Sequence, residues 1–168
     1  MVKAIEWRNK KVVILDQSRL PFEFTFVECT DYRQVAECIR TMKIRGAPAI
    51  GIATAMSIAL GAQDIKTENF ERFVEGLELV FNEMLSTRPT AVNIKWAVER
   101  IRGFLIRKRD ESIDTLKELL IEEARKIHKE DIEVNKAIGR WCAEFIREGN
   151  TILTHCNAGS LATGGYGT

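Results

Sequence analysis

Two arginines precede predicted helix starts, a pattern that can bind an anion. Arg45 is followed by Gly46, Ala47 and Pro48, and proline suits the first turn of a helix. A guanidinium beside the free N–H groups of a helix N-terminus can hold a phosphate or another anion. An arginine before a helix is more often a solvated surface residue, so the pattern alone leaves both interpretations open.

Arg88 stands in a similar position, before Pro89 and Thr90, at the predicted start of another helix. Thr90 offers a hydroxyl donor, and Asn93 offers an amide one turn farther along the chain. A capped helix start explains these residues without any ligand, and local sequence favours that explanation. The second arginine therefore strengthens the hypothesis of an anion site only modestly.

Cys156 is the thiol whose position most favours chemistry. It follows residues 151–155, an apolar run typical of a buried parallel strand, and it precedes a glycine-rich stretch. Ligands of α/β folds bind at such strand ends, where backbone dipoles lower a thiol's pKa and favour proton transfer or nucleophilic attack. A buried and inert cysteine is the commoner alternative. His155 would point to the opposite side of the strand and is not automatically a partner.

The remaining cysteines and histidines do not have the spacing of a metal site. Cys29, Cys38 and Cys142 form no C-x-x-C pair, and the chain has only two histidines. Zinc needs clustered thiolates and imidazoles, so we expect no structural metal and no disulfide framework. We expect these three cysteines to be structural, with Cys38 and Cys142 in the core. We expect His128, between two lysines, to be a solvated helix residue.

Composition excludes several classes of protein. The 168 residues are 45% hydrophobic and 29% charged, and 25 basic against 24 acidic side chains give a net charge of +1. Such a small net charge does not indicate a positively charged surface that would bind nucleic acid or an anionic membrane, so we expect neither partner. The first residues contain no apolar segment typical of a secretory signal, which favours a cytoplasmic protein with reduced thiols.

The elements that must position these residues change in type along the chain. Residues 1–30 predict a small antiparallel β-sheet, with strands flanking residues 8–10 and a third strand over 22–26, where apolar and polar residues alternate. Residues 31–149 predict a helical bundle, so the fold class is α+β. Residues 46–63 carry no charge and contain many small residues, which indicates a buried central helix rather than a membrane span.

Six helices are expected in the bundle. Their predicted starts are at Thr30 or Asp31, at Pro48, at Thr67, after Pro89 and at Ser112, with a sixth helix passing through 138–145 and ending near Gly149. Residues 151–168 then supply a strand and a glycine-rich turn, which normally lead into a helix. Because that helix should begin at Thr168, we expect the chain to be the front part of a longer protein.

Five segments together resemble one family, the methylthioribose-1-phosphate isomerases. They are VILDQ at 13–17, LP at 20–21, MKIRGAPAIG at 42–51, RPTAVNIKW at 88–96 and THCNAGSLATGGYGT at 154–168. The resemblance covers essentially the whole chain in the same order. It implies a two-domain homodimer in which residues 151–168 begin a Rossmann-like α/β domain.

The resemblance also implies an activity and a set of site residues. It implies an enzyme of methionine salvage that converts a phosphorylated pentose, 5-methylthioribose 1-phosphate, into 5-methylthioribulose 1-phosphate without a metal or nucleotide cofactor. Cys156 corresponds to one member of the acid–base pair, whose partner is an aspartate in the C-terminal domain, beyond Thr168. Arg45, Gly46, Ala47 and Arg88 match positions that contact the substrate.

Two alternatives belong to the same family group. One is ribose-1,5-bisphosphate isomerase, which moves protons on a different pentose phosphate. The other is non-catalytic: the regulatory subunits of translation initiation factor two-B share this fold and bind proteins. The joint presence of Arg45, Arg88 and Cys156 favours the enzyme, because a scaffold does not need a thiol beside an anion pocket.

Overall fold

The N-terminal strands form a three-stranded antiparallel sheet in the order β1 (Ile5–Arg8), β2 (Lys11–Leu15) and β3 (Phe26–Cys29). This computed structural model describes residues 3–167. Asn9 and Lys10 connect β1 to β2 with positive φ angles of 51° and 59°, as a tight two-residue hairpin turn requires. The predicted small sheet is therefore confirmed.

The third strand lies later in the sequence than we expected. We predicted it over 22–26, but the pairing with β2 runs from Phe26 to Cys29, and Phe22 is 94% exposed. Phe22, Phe24 and Phe26 are all exposed and do not face a core. The buried side chain of β3 is that of Cys29, which lies opposite Val12. The rings of Phe24 and Phe26 instead pack edge to face, with centroids 5.4 Å apart.

Within the described residues, five helices follow the sheet. They are α1 (Tyr32–Arg40), α2 (Ala47–Gln63), α3 (Phe70–Thr87), α4 (Val92–Arg107) and α5 (Ile113–Ala143). Asp31 and Ser112 cap α1 and α5 as predicted, whereas Asn69 rather than Thr67 caps α3. In each case the side-chain oxygen accepts a hydrogen bond from a first-turn N–H group, which explains why the helix begins there.

Helix α2 forms the centre of the bundle, as its uncharged sequence predicted. Every residue from 49 to 62 is buried, and the other four helices all pack against α2. Its glycines permit close approach, since a Cβ at Gly51 would meet Asn93 of α4 at 3.2 Å and one at Gly61 would meet Val80 of α3 at 2.8 Å. Among the helices described, none is long and apolar enough to cross a membrane.

The prediction of two separate helices after residue 112 was wrong. Residues 113–143 form one continuous helix, because nothing between the two apolar runs breaks it and Gly139 is tolerated within the helix. Cys142, which we expected in the core, is exposed. The end of α5 presents Val134, Ile138 and Trp141 to solvent at helical spacing.

The strand predicted over 151–155 is not formed. These residues have no regular structure, and Leu153 is 94% exposed. A strand is stable only when a neighbour pairs its backbone, and the three strands in residues 3–167 pair with one another at the other end of the sequence. The helix expected at Thr168 lies outside the described residues.

Cys29 and Cys38 are buried side by side, as expected of structural cysteines. Their Sγ atoms lie 3.9 Å apart, and both are free thiols. The hydrogen bond with Cys38, together with burial, raises the pKa of the Cys29 thiol. Because the thiolate is the reactive form, the raised pKa protects the Cys29 thiol from alkylation, whereas the same hydrogen bond lowers the pKa of Cys38.

We predict that Gly61→Ala lowers the free energy of unfolding by about 1–3 kcal/mol, because the new methyl group would overlap buried Val80. Gly103→Ala in α4 is the matched control. Its Cβ would meet only the flexible end of Arg107 at 3.3 Å, so we expect a gain of up to about 1 kcal/mol from higher helix propensity. Urea unfolding of the complete protein measures both, and equal effects would contradict the tight α2–α3 contact.

Candidate functional site

The N-terminus of α2 is built on a glycine that cannot be replaced without strain. Gly46 caps the helix with a φ of +97°, and its carbonyl accepts a hydrogen bond from Ile50 N at 3.0 Å. A Cβ at Gly46 would lie 2.5 Å from Ala162. Both the backbone conformation and the close approach of Ala162 therefore require glycine.

Arg45 has an unsatisfied polar group next to this helix start. The side chain is partly buried, and its Nε atom is buried without a hydrogen-bond partner within residues 3–167. No carboxylate in the same range forms an ion pair with it. A buried N–H group left without a partner destabilises the folded state by about 1–3 kcal/mol. The arrangement therefore fits a guanidinium that binds an anionic ligand.

The helix start offers fewer free N–H groups than the sequence predicted. Pro48 has no N–H, and Ala49 N donates to the carbonyl of Ala162 at 3.0 Å. In the first turn this leaves the N–H groups of Gly46 and Ala47 for a ligand. An anion here would depend mainly on the Arg45 side chain.

Arg88 lies at the junction of α3 and α4, where it forms the C-terminal cap of α3. It is partly buried and forms no ion pair with any carboxylate in the described part of the chain. The predicted side-chain cap of α4 is absent, because the capping residue is Ala91 and Thr90 makes no such bond. The first N–H groups of α4 therefore have no side-chain acceptor, and the structure does not show the capped start that local sequence favoured.

The starts of α2 and α4 lie side by side along one cleft. Gly51 packs on Asn93, and the cleft of about 370 Å³ is lined by residues of α2, α4 and α5, among them Pro48, Asn93 and Trp96. The two helix starts that sequence analysis singled out thus belong to one region of the surface.

Two carboxylates of α5 that line the cleft, those of Glu130 and Asp131, each accept a hydrogen bond. Glu130 accepts a hydrogen bond from Arg100 at 2.5 Å, and this bond lowers the pKa of Glu130. Arg100 also donates to Glu123 at 2.7 Å. Burial raises the pKa of the Asp131 carboxyl, and the hydrogen bond from Gly164 N–H opposes that rise.

Cys156 is exposed, in the irregular segment that ends the described chain. Its φ of +62° is uncommon for a residue other than glycine, so the backbone there is constrained. The structure does not enclose the thiol in a pocket formed by residues 3–167.

The glycine-rich loop, residues 159–166, follows Cys156 and is bound firmly to the bundle. Gln17 Nε2 donates to the carbonyl of Leu161 at 2.8 Å, and Ala162 packs on Gly46. His128 and Asp131 of α5 hold the backbone of Gly164. The loop therefore joins the segment of Cys156 to the start of α2.

The contacts of Gln17 and Asp131 with this loop were not predicted, and the prediction that His128 is a solvated helix residue was wrong. A signal was present, because Asp131 stands between Ile127 and Val134 at the spacing of an apolar helix face. A carboxylate on such a face needs a buried partner. Within residues 3–167, no group of three His, Cys, Asp or Glu side chains converges to hold a metal ion.

Comparison with known proteins identifies relatives along the whole chain. Methylthioribose-1-phosphate isomerase from Geobacter sulfurreducens is 54% identical over 166 residues, which are 99% of this chain and 48% of that protein. The crystal structure of 5-methylthioribose 1-phosphate isomerase from Pyrococcus horikoshii superposes with a TM-score of 0.91 and 43% identity, covering 100% of this chain and 47% of that one.

A translation factor is also similar in structure. Subunit delta of translation initiation factor eIF-2B from A. fulgidus matches with a TM-score of 0.83 and 36% identity over 97% of this chain and 47% of that one. The chain thus spans about half the length of the relatives it matches. The sequence profile of the Initiation factor 2 subunit family matches residues 43–164, most of the described bundle and the loop. The chain belongs to the Initiation factor 2 subunit family.

Proposed function

We propose that this chain is the N-terminal part of an aldose–ketose isomerase that converts 5-methylthioribose 1-phosphate into 5-methylthioribulose 1-phosphate in methionine salvage. The observation that carries the proposal is the 54% identity to the isomerase of Geobacter sulfurreducens across 99% of this chain. The Nε atom of Arg45, buried beside a helix start without a hydrogen-bond partner within residues 3–167, supports it, because the substrate is a phosphate ester.

The reaction is an internal redox exchange, so it needs no external oxidant or reductant. The bond between C1 and the ring oxygen breaks, and an acid protonates that oxygen. The hydrogen on C2 moves to C1, while the C2 hydroxyl loses its proton and becomes a carbonyl. Whether that hydrogen travels as a proton through an enediol or as a hydride, the enzyme must supply one acid and one base in a shielded pocket.

The roles of the residues follow from this chemistry. Arg45 and Arg88, with the N–H groups of Gly46 and Ala47, bind the phosphate and orient the sugar. Cys156 is one member of the acid–base pair, and an aspartate beyond Thr168 is the other. The neighbouring carboxylate Glu130 is already paired with Arg100, which limits its repulsion of a bound phosphate.

The remainder of the protein completes the site in this proposal. The relatives are about twice as long as this chain, and we propose that the missing half is a Rossmann-like domain. It would pair with residues 151–155 as a strand, enclose Cys156, and cover the apolar residues Val134, Ile138 and Trp141 of α5. A cytoplasmic homodimer, implied by the family resemblance, belongs to the same proposal.

A regulatory role in translation initiation is the second candidate, and the similarity to the A. fulgidus subunit favours it. That protein is less identical to this chain than the isomerases are, at 36% against 43% for the Pyrococcus structure. The isomerase therefore remains the better supported function.

Phosphorus NMR of the complete protein with 5-methylthioribose 1-phosphate tests the proposal directly. We expect the signal of the anomeric phosphate to be replaced by that of a primary phosphate ester.

The same experiment with Cys156→Ser tests the role of the thiol. The variant should remain folded by circular dichroism and lose turnover, because a hydroxyl is a far weaker proton donor than a thiol. Full activity of that variant would remove Cys156 from the mechanism. No conversion by the folded wild-type protein would refute the proposed substrate and make ribose 1,5-bisphosphate the next substrate to try.

We predict that Arg88→Ala raises KM at least about tenfold, since a charged hydrogen bond to phosphate contributes roughly 1.5–3 kcal/mol. The midpoint of thermal unfolding should hardly change, because Arg88 forms no ion pair in the described structure. Arg72→Ala is the matched control: this arginine is exposed on the same helix α3. Steady-state kinetics with both variants measures the difference. A large loss of stability in Arg88→Ala without a change in KM would indicate a structural role instead.

A further inference from the structure

We propose that His128 and Asp131 are positioning residues, which hold the backbone of Gly164 and thereby fix the glycine-rich loop between Cys156 and the substrate site. The inference rests on the proposed isomerase function and adds two residues to it. Neither residue needs to touch the substrate. Their effect passes through the loop.

The two side chains bind both backbone polar groups, the carbonyl and the N–H, of Gly164. His128 Nε2 lies 2.5 Å from the carbonyl oxygen of Gly164, and Gly164 N donates to Asp131 Oδ2 at 2.6 Å. Because a carbonyl only accepts, the hydrogen of the imidazole must be on Nε2. The residues are three apart on α5, so they project from one face of the helix one turn apart.

Close packing makes the arrangement specific for glycine. A Cβ at Gly164 would lie 2.7 Å from His128 Cδ2 and 3.0 Å from Asp131 Oδ2. Here the requirement for glycine is steric, since the pair would have to move apart to admit a methyl group. Asn135, which is 2% exposed, donates Nδ2 to the carbonyl of Asp131 at 2.9 Å and braces the same turn.

The loop has two further attachments, at Leu161 to Gln17 and at Ala162 to Ala49. Thr163 Oγ1 donates to the carbonyl of Tyr166 at 2.8 Å, so the loop is also tied internally. Gly164, which the pair on α5 holds, lies within the segment that this bond closes and two residues after Ala162, which contacts Gly46. Releasing Gly164 would therefore loosen Ala162 against the start of α2, together with the chain that leads back to Cys156.

The first experiment compares Asp131→Leu with Asp131→Asn in the complete protein. Leucine removes the acceptor for Gly164 N–H, whereas asparagine keeps one amide oxygen to accept the same bond. We expect Asp131→Leu to lower kcat at least about tenfold with a smaller change in KM, because a misplaced reactive group mainly affects the chemical step. Asparagine should restore most of kcat. Equal kcat for wild type and Asp131→Leu would overturn the inference.

Hydrogen exchange measured by mass spectrometry gives a readout that needs no activity. Peptides covering 157–167 should exchange faster in Asp131→Leu than in wild type, while peptides from the later turns of α2, residues 52–63, should keep their protection. If the wild-type protein does not isomerise the substrate, the proposed function fails. Hydrogen exchange then still tests whether His128 and Asp131 hold the loop in place. Unchanged exchange in the loop would overturn it.

A glycine substitution tests the packing independently. Gly164→Ala should reproduce the loss of kcat and the faster exchange, because its methyl group would push the loop away from α5. Gly139→Ala is the matched control on α5, where a Cβ would lie at an ordinary 3.6 Å from the Tyr166 ring. It should behave like wild type. Wild-type kinetics and exchange in Gly164→Ala would contradict the close fit of the pair around Gly164.

Discussion

The fold depends above all on the complete burial of α2. A helix with no charge between residues 46 and 63 can be stable only when other elements cover every side, and residues 49–62 are all buried. Its polar side chains are satisfied internally, since Thr54 Oγ1 donates to the carbonyl of Ile50 at 2.8 Å and Ser57 Oγ donates to that of Tyr32 at 3.3 Å. The positions of the other four helices follow from this requirement.

The same burial decides where a polar ligand can meet the bundle. A helix enclosed along its length exposes backbone N–H groups only at its first turn, and here that turn begins at Gly46. Because Gly51 has no side chain, the start of α4 packs closely against α2 at this point, with Asn93 in contact. The starts of α2 and α4 thus meet at one cleft because the central helix is packed so closely. Arg45 and Arg88 precede these two starts, but the residues that line the cleft include neither arginine.

Sequence predicted well those elements that local chemistry determines. The caps at Asp31 and Ser112, and the uncharged stretch of α2, depend on neighbouring residues and were found directly. The position of β3 and the role of His128 depend on partners distant in the chain, Val12 and Gly164, which no local pattern reveals. The resemblance named Arg45, Arg88 and Cys156, but it gave no indication of what holds the loop between them.

The glycine-rich loop couples the two halves of the proposed chemistry. Ala162 occupies the N–H group of Ala49 and packs on Gly46, so a displaced loop would change the N–H groups offered to a phosphate as well as the position of the thiol. Release of the loop would then affect proton transfer most, because the thiol is displaced, and phosphate binding less, because that binding depends mainly on the Arg45 side chain. Because fold similarity extends to a translation factor, the architecture alone does not distinguish an enzyme from a scaffold, and we propose that the coupling of an anion site to a thiol does.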